Sequence, residues 1–465
     1  MCWRHTSVAN SAGKGHALTT ALLPSLGKKG QLDGCPVCSL PLPLRLPELG
    51  EQGKAWQCAG CAARYFAVIS DEASDESLRN ARLLPESDAW GNETTWSFGA
   101  PPSLHDSKYQ TVDEIVPNRK GIRSPVETPT SRQFDAAIMR GSNLSLRPQG
   151  TPFSSELRDC GAGQFHADVI RQFLTRTDDA TARLADFFSC LEKGKHTEAD
   201  VLHTISEEAL LLAAHDMDLF VALGMHVPED GYPSRHSIRV GRLAMAIGAN
   251  MGYDKRTLLE LGIGCLVQDV GMLMVDRQAY DSTRILTASE FAEVTKHPVL
   301  TFEVLNKHMD WVPSSARMVA YQVHERCDGS GYPRGRTSQQ IHELAKVAAV
   351  ADVFVALLSP RPHRGPMIPY YAMEKIVYDA KGGLFDPDVV RALLQTVSLF
   401  PIGSWVELSD GRPAQVIRAG GDQWARPVVD AWRELRTGSR REVINLATCP
   451  QLHILRPLAE NQLEK

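Results

Sequence analysis

Residues 321–335 read Y-Q-V-H-E-R-C-D-G-S-G-Y-P-R-G: an apolar helical run ends in His324 and Glu325, and the backbone then breaks at Gly329, Gly331 and Pro333. Glycine reaches backbone shapes closed to other residues and proline fixes its own φ. The spacing therefore predicts a helix feeding a loop of one definite conformation, with amides exposed beside the histidine. Such a corner suits a metal or a phosphate group. Taken alone, D-G-S-G is as readily an ordinary turn and His324 a satisfied surface histidine, so the surrounding chain decides.

Working outward, helical periodicity runs from about Phe165 to Phe400, through Val169, Phe173, Leu184, Phe187, Phe188 and Leu191, and predicts an all-α bundle. His236 follows Pro233 and precedes Val240, Leu243, Ala244 and Ile247, which puts it on or beside the buried face of a helix. Asp269 lies inside C-L-V-Q-D-V-G-M-L-M-V (265–275), and Asp352 is the only charged residue of Val347–Leu358. A carboxylate in such surroundings is heavily desolvated unless a cation or strong donors meet it. With His297 at the head of another helix, two acids and three histidines make an oxygen-and-nitrogen set for one or two transition metals. The alternative is a group of independent core polar residues, each satisfied by backbone.

The stretch V-H-E-R-C-D-G-S-G-Y-P (323–333) resembles the signature of the HD-GYP domains, a branch of the HD metal-dependent phosphohydrolases. The resemblance covers roughly residues 200–456. It implies hydrolysis of cyclic di-GMP at an iron or manganese centre held by histidines and aspartates. It also implies metal roles for His236, Asp269, His297, His324 and Asp352, with Asp269 and His324 at the catalytic centre. Ligand contacts are implied for Gly331, Tyr332, Pro333, Arg361 and Arg364. Three positions depart from the pattern: Gln268 stands for the histidine of the H-D pair, Met272 for a lysine and Val323 for the first histidine of H-H-E. An amide is a poor substitute for imidazole, and valine offers no ligand. Methionine carries no charge to steady a phosphate. The departures predict weakened metal binding and speak against a dinuclear centre.

Upstream, Cys35-Pro-Val-Cys38 and Cys58-Ala-Gly-Cys61 are nineteen residues apart, a spacing that closes a tetrahedral Zn²⁺ site. A zinc ribbon is expected over 31–70 after a flexible tail at 1–30; the rival is a redox pair with two unrelated thiols. Residues 71–164, rich in proline and charge, read as a disordered linker, and 165–400 as the helical domain. After Phe400 the period becomes two, at Trp405, Val406 and Leu408, with a turn at Ser409-Asp410-Gly411, predicting a small β extension and tail over 401–465. A second D-G-Y-P at 230–233 lacks a preceding His-Glu and reads as chance.

The fold class expected is therefore mainly α, with a small β module at each end. A net charge of −5 gives no global reason for nucleic-acid or membrane-surface binding. No apolar run approaches the roughly 18–20 residues needed to span a bilayer and no continuous signal core is read at the N-terminus, so the expected location is cytoplasmic. The function expected is a cyclic di-GMP phosphodiesterase-like signalling protein with impaired or absent hydrolysis and retained nucleotide or partner-protein binding. The alternative is an active metal-dependent phosphodiesterase; a homodimer is left open.

Overall fold

In a computed structural model the described residues are 3–6, 55–58, 64–68, 82–85, 123–140, 150–158, 165–195, 197, 200–225, 232–276, 286–359, 366–432 and 441–458. The chain divides into two units, 1–104 and 105–465. In the first, β1 (Trp3–Thr6), β2 (Ala55–Cys58), β3 (Arg64–Val68) and β4 (Arg82–Pro85) form an antiparallel sheet in that order. The sheet pairs Trp56 with Tyr65, in the stretch expected to form short strands. Cys35, Cys38 and Cys61 lie outside the described residues, and for Cys58 only the backbone at the end of β2 is described.

The second unit opens with α1 (Pro129–Met139), whose start is set by a reciprocal capping box between Thr128 and Ser131 and a proline in the first turn. This helix, with residues 123–128 and 150–158, falls inside the stretch expected to be a disordered linker. Its apolar groups are few but well placed: Ile138 is buried, and Phe134 packs against Phe302 at a centroid distance of 4.2 Å and meets Tyr321 edge to face at 5.4 Å. Sparse apolar content hid a segment that is ordered by docking on another element rather than by its own core.

The helical body follows. α2 (Ala167–Glu192), α3 (Asp200–His215) and α4 (Met217–Met225) lead to α5 (Ser234–Asn250), the central helix, buried along most of its length. Asp254 caps α6 (Lys255–Val267) by accepting from Thr257 N at 2.8 Å, and a 3₁₀ turn covers 270–274. After α7 (Ala288–Val294) come α8 (His297–His308), α9 (Ser314–Gln322), α10 (Glu343–Leu358), α11 (Pro369–Lys381) and α12 (Pro387–Val397). Leu184, Leu202, Leu266, Val267, Leu305 and Ala316 join α2, α3, α6, α8 and α9 into one core. Each fully buried leucine there contributes about 1.5–3 kcal/mol of transfer free energy.

An 18-residue window within Lys255–Met274 has a mean hydropathy of 1.4 and is long and apolar enough to pass for a membrane span, contrary to the expectation that no such run exists. With 72% of it buried inside the unit and Asp269 within it, its apolarity is that of a core helix.

The β extension is a five-stranded antiparallel sheet, order β8-β7-β6-β5-β9, from β5 (Trp405–Leu408), β6 (Pro413–Arg418), β7 (Val428–Trp432), β8 (Arg441–Asn445) and β9 (Ile454–Leu458). Alternate residues Val406, Leu408, Ala414 and Val416 are buried, as period two requires. The expected turn is there, with Gly411 at φ +84°.

Candidate functional site

Three helix ends, one 3₁₀ turn and the middle of a fourth helix converge on the site. The end of α6 and its 3₁₀ turn bring Gln268 and Asp269; the start of α8 brings His297; the residues after α9 bring His324; the middle of α10 brings Asp352. The close approach of the first two depends on Gly271. A Cβ there would overlap the carbonyl of His297 and lie 2.6 Å from the amide of Thr301. With glycine, its own amide donates to Thr301 Oγ1 at 2.8 Å, and that hydroxyl donates to the Gln268 carbonyl at 3.0 Å. Nothing in the local sequence pattern marked Gly271; its requirement is a tertiary one.

Asp269, His297 and His324 each offer a ligand atom within 4.8 Å of the others. His297 Nε2 is 3.6 Å from Asp269 Oδ1, while its Nδ1 donates to the Val294 carbonyl at 2.7 Å, which leaves the lone pair on Nε2. The His297 and His324 rings meet edge to face at 4.7 Å, and Nε2 of both is buried without a hydrogen-bond partner. Burial lowers the pKa of His297; burial and then the neighbouring His297 hold His324 well below the usual histidine value. Both rings are thus neutral at pH 7, the form that ligates a metal.

His236 and Asp352, expected to share the same ligand set, instead pair with each other: His236 Nε2 lies 2.9 Å from Asp352 Oδ1. Asp352 Oδ2 lies 3.5 Å from His324 Nδ1. Burial opposes ionisation of Asp352, but the His236 hydrogen bond and the two histidines outweigh it and hold the carboxyl well below its ordinary range. The structure therefore brings all five expected residues together and divides them into a triad and a pair.

Gln268 is fully buried, and neither polar atom of its side chain has a hydrogen-bond partner. Val323 and Met272, the other two departures, are buried apolar groups.

The loop after His324 corrects one expectation. Its amides are used internally: Gly329 N donates to Arg326 O, Ser330 N to Asp328 Oδ1 and Tyr332 N to His324 O, at 2.8, 2.8 and 3.0 Å. Glu325, buried and with its pKa raised by that burial, accepts from the amides of Arg334 and Arg336 at 2.8 Å each. The loop closes on its own helix end, and these five amides do not face a phosphate. Gly331 is needed because a Cβ would strike the backbone of 324–326. What the loop presents is Tyr332, stacked on His324 at 4.9 Å with 16° between the planes. The second Tyr-Pro echoes this: Tyr232 lies 6.0 Å from His236, and both Tyr-Pro bonds are cis. Arg361 and Arg364 lie outside the described residues.

Residues 228–389 match the HD domain family model. A cyclic di-GMP phosphodiesterase of Pseudomonas aeruginosa is 33% identical over 211 residues, 45% of this chain and 50% of that protein. A cyclic di-GMP phosphodiesterase of Thermotoga maritima is 32% identical over 161 residues, 35% of this chain and 44% of that one. Among solved structures, an HD-GYP-like protein of Bdellovibrio bacteriovorus aligns over 57% of this chain and 80% of its own, with TM-score 0.42 and 14% identity. The chain spans about half the length of the curated relatives it matches.

Proposed function

We propose, on the premise that residues 228–389 are an HD domain of the HD-GYP type, that the helical unit binds a guanine-containing cyclic dinucleotide and hydrolyses it slowly or not at all. The observation that carries this is the triad Asp269, His297 and His324, with Tyr332 stacked on His324 and two buried imidazole nitrogens lacking partners. One carboxylate and two neutral imidazoles suit a single iron, manganese or zinc ion. Such an ion, when bound, supplies Lewis acidity and a water that ionises near neutral pH. The rest of a second set is missing: Gln268 offers an amide, Val323 a hydrocarbon, and His236 and Asp352 satisfy each other.

In this reading His297 and Asp269 are held by Val294 O and Gly271, so their donor atoms converge without rearrangement. Asp352, bonded to His236, orients His324 through Nδ1. Tyr332, shaped by Gly331 and Pro333, supplies a ring edge to a base or ribose, and Arg361 and Arg364 take phosphate oxygens in bidentate fashion. Met272 supplies no charge there, which weakens stabilisation of a developing oxyanion more than it weakens binding. Cys35, Cys38, Cys58 and Cys61 hold one structural Zn²⁺, and the protein acts in the cytoplasm, where the messenger is made.

Elemental analysis, calorimetry with cyclic di-GMP and product chromatography on one preparation of the full chain test this. Expected are one zinc lost in Cys58→Ser, at most one further transition metal lowered by Asp269→Ala, nucleotide binding, and little or no turnover with added Mn²⁺. Two tightly held metals with brisk hydrolysis would overturn the reading in favour of an active phosphodiesterase.

A further inference from the structure

Asp135 lies in α1, more than ninety residues before the matched domain begins, yet its carboxylate is tied to the signature loop. Oδ2 accepts from Arg334 Nε at 2.8 Å and from Tyr321 Oη at 3.0 Å, and Oδ1 accepts from Arg336 Nη2. The Arg334 and Arg336 side chains are 14% and 5% exposed, so few waters replace the carboxylate if it is removed. The same segment grips the loop a second time. Arg123 donates to the carbonyls of Gly329 at 2.8 Å and Gly331 at 3.1 Å, and Ser124 N donates to Pro333 O at 3.1 Å. Gly335, at φ +68°, leaves the space that the Arg123 guanidinium fills. The segment itself is seated on α8 and α9 by Phe134 and by Thr128, which donates to Glu303.

The loop's own bonds, from the amides of 334 and 336 to Glu325 and from those of 329, 330 and 332 to Arg326, Asp328 and His324, use its donors and leave the carbonyls of 329, 331 and 333 to groups outside it. The tip carries Tyr332, and the external bonds to 329, 331 and 333 come from Arg123 and Ser124. We infer that Asp135 is a positioning residue: together with Arg123 it holds the 326–337 loop, and through it the Tyr332 ring over His324, from a helix outside the matched domain. Anything that moves the chain upstream of the domain is thereby coupled to the ring above the candidate site. The coupling concerns the loop's position and needs neither a metal nor a nucleotide to be observed, so it stands or falls separately from the proposed function.

Hydrogen exchange on the full chain, comparing a peptide covering 326–337 with one from α10, tests this in Asp135→Asn, Asp135→Glu and Arg123→Ala. Loss of one charge-assisted anchor is expected to speed exchange in 326–337 by about tenfold or more in Asp135→Asn and Arg123→Ala, with α10 unchanged and partial rescue by Asp135→Glu. The ring-current shift that Tyr332 places on the His324 ring protons should shrink in parallel. Unchanged loop exchange in a variant whose α10 is protected as in the parent would overturn the inference. So would acceleration of equal size in loop and α10, which would make Asp135 a residue of general stability.

Discussion

Gln268 is a buried amide with two unpaired polar atoms, and such a group destabilises the fold unless a ligand or water meets it. Gln268→Met keeps the length and removes both polar atoms, so the metal-free protein should gain about 1–2 kcal/mol in denaturant unfolding. A loss instead would mean that the amide has a partner in solution. His342 offers a second test. It caps α10 by accepting from Leu344 N through Nδ1, and burial lowers its pKa to about 4. Its folded value lies below the unfolded one near 6.5, so its contribution is complete above pH 6.5 and is lost as pH falls toward 4. The loss reaches at most about 3 kcal/mol. His342→Asn keeps a capping acceptor that does not titrate, so its stability should fall less between pH 6.5 and 4, measured by urea midpoints.

At the scale of elements, the site depends on how closely the 3₁₀ turn meets α8. Gly271→Ala places a methyl against the His297 carbonyl and the Thr301 amide, which are backbone and cannot rotate away. The two elements must separate, at a cost of about 1–3 kcal/mol, and Asp269 must draw back from His297. Thermal unfolding should show the first effect and weaker transition-metal binding the second. Unchanged metal affinity at lowered stability would dissociate the turn's packing from the triad. The cap of α6 by Asp254 and the capping box of α7 are local arrangements of residues three apart, whereas the requirement at Gly271 comes from packing against a distant helix.

At the scale of the molecule, the β extension is tied to the bundle by an ion pair. Arg418 on β6 donates through Nη1 to both oxygens of Asp216 at 2.9 Å and lies 4.0 Å over the Phe165 ring. Asp218 beside it has its pKa pushed up to about 6, chiefly by burial, with Arg418 opposing. Arg418→Ala leaves the buried Asp216 and the half-buried Asp218 without their guanidinium and should destabilise the chain by about 3–5 kcal/mol in denaturant unfolding. A change below about 1 kcal/mol would show that the remaining contacts, among them Gln395 Nε2 donating to Asp422 Oδ1 and Gly420 N to Ser398 Oγ, hold the two parts together without the ion pair.

The sequence alone determined what local rules determine. Period 3.6 from 165 to 400 and period two after 400 place the helices and the strands, because burial of one face is written in residue order. Gly329, Gly331 and Pro333 mark a fixed loop, and the isolated acids Asp269 and Asp352 mark positions that need partners. Which partners they take was decided by tertiary structure. Asp352 reaches His236 across 116 positions, and Arg334 reaches Asp135 across 199. The loop's amides turned inward because Glu325 folds back on residues 334 and 336. α1 is ordered because α8 and α9 give Phe134 a seat. Contacts between residues so far apart leave no periodicity in the chain; they exist only once the helices have packed.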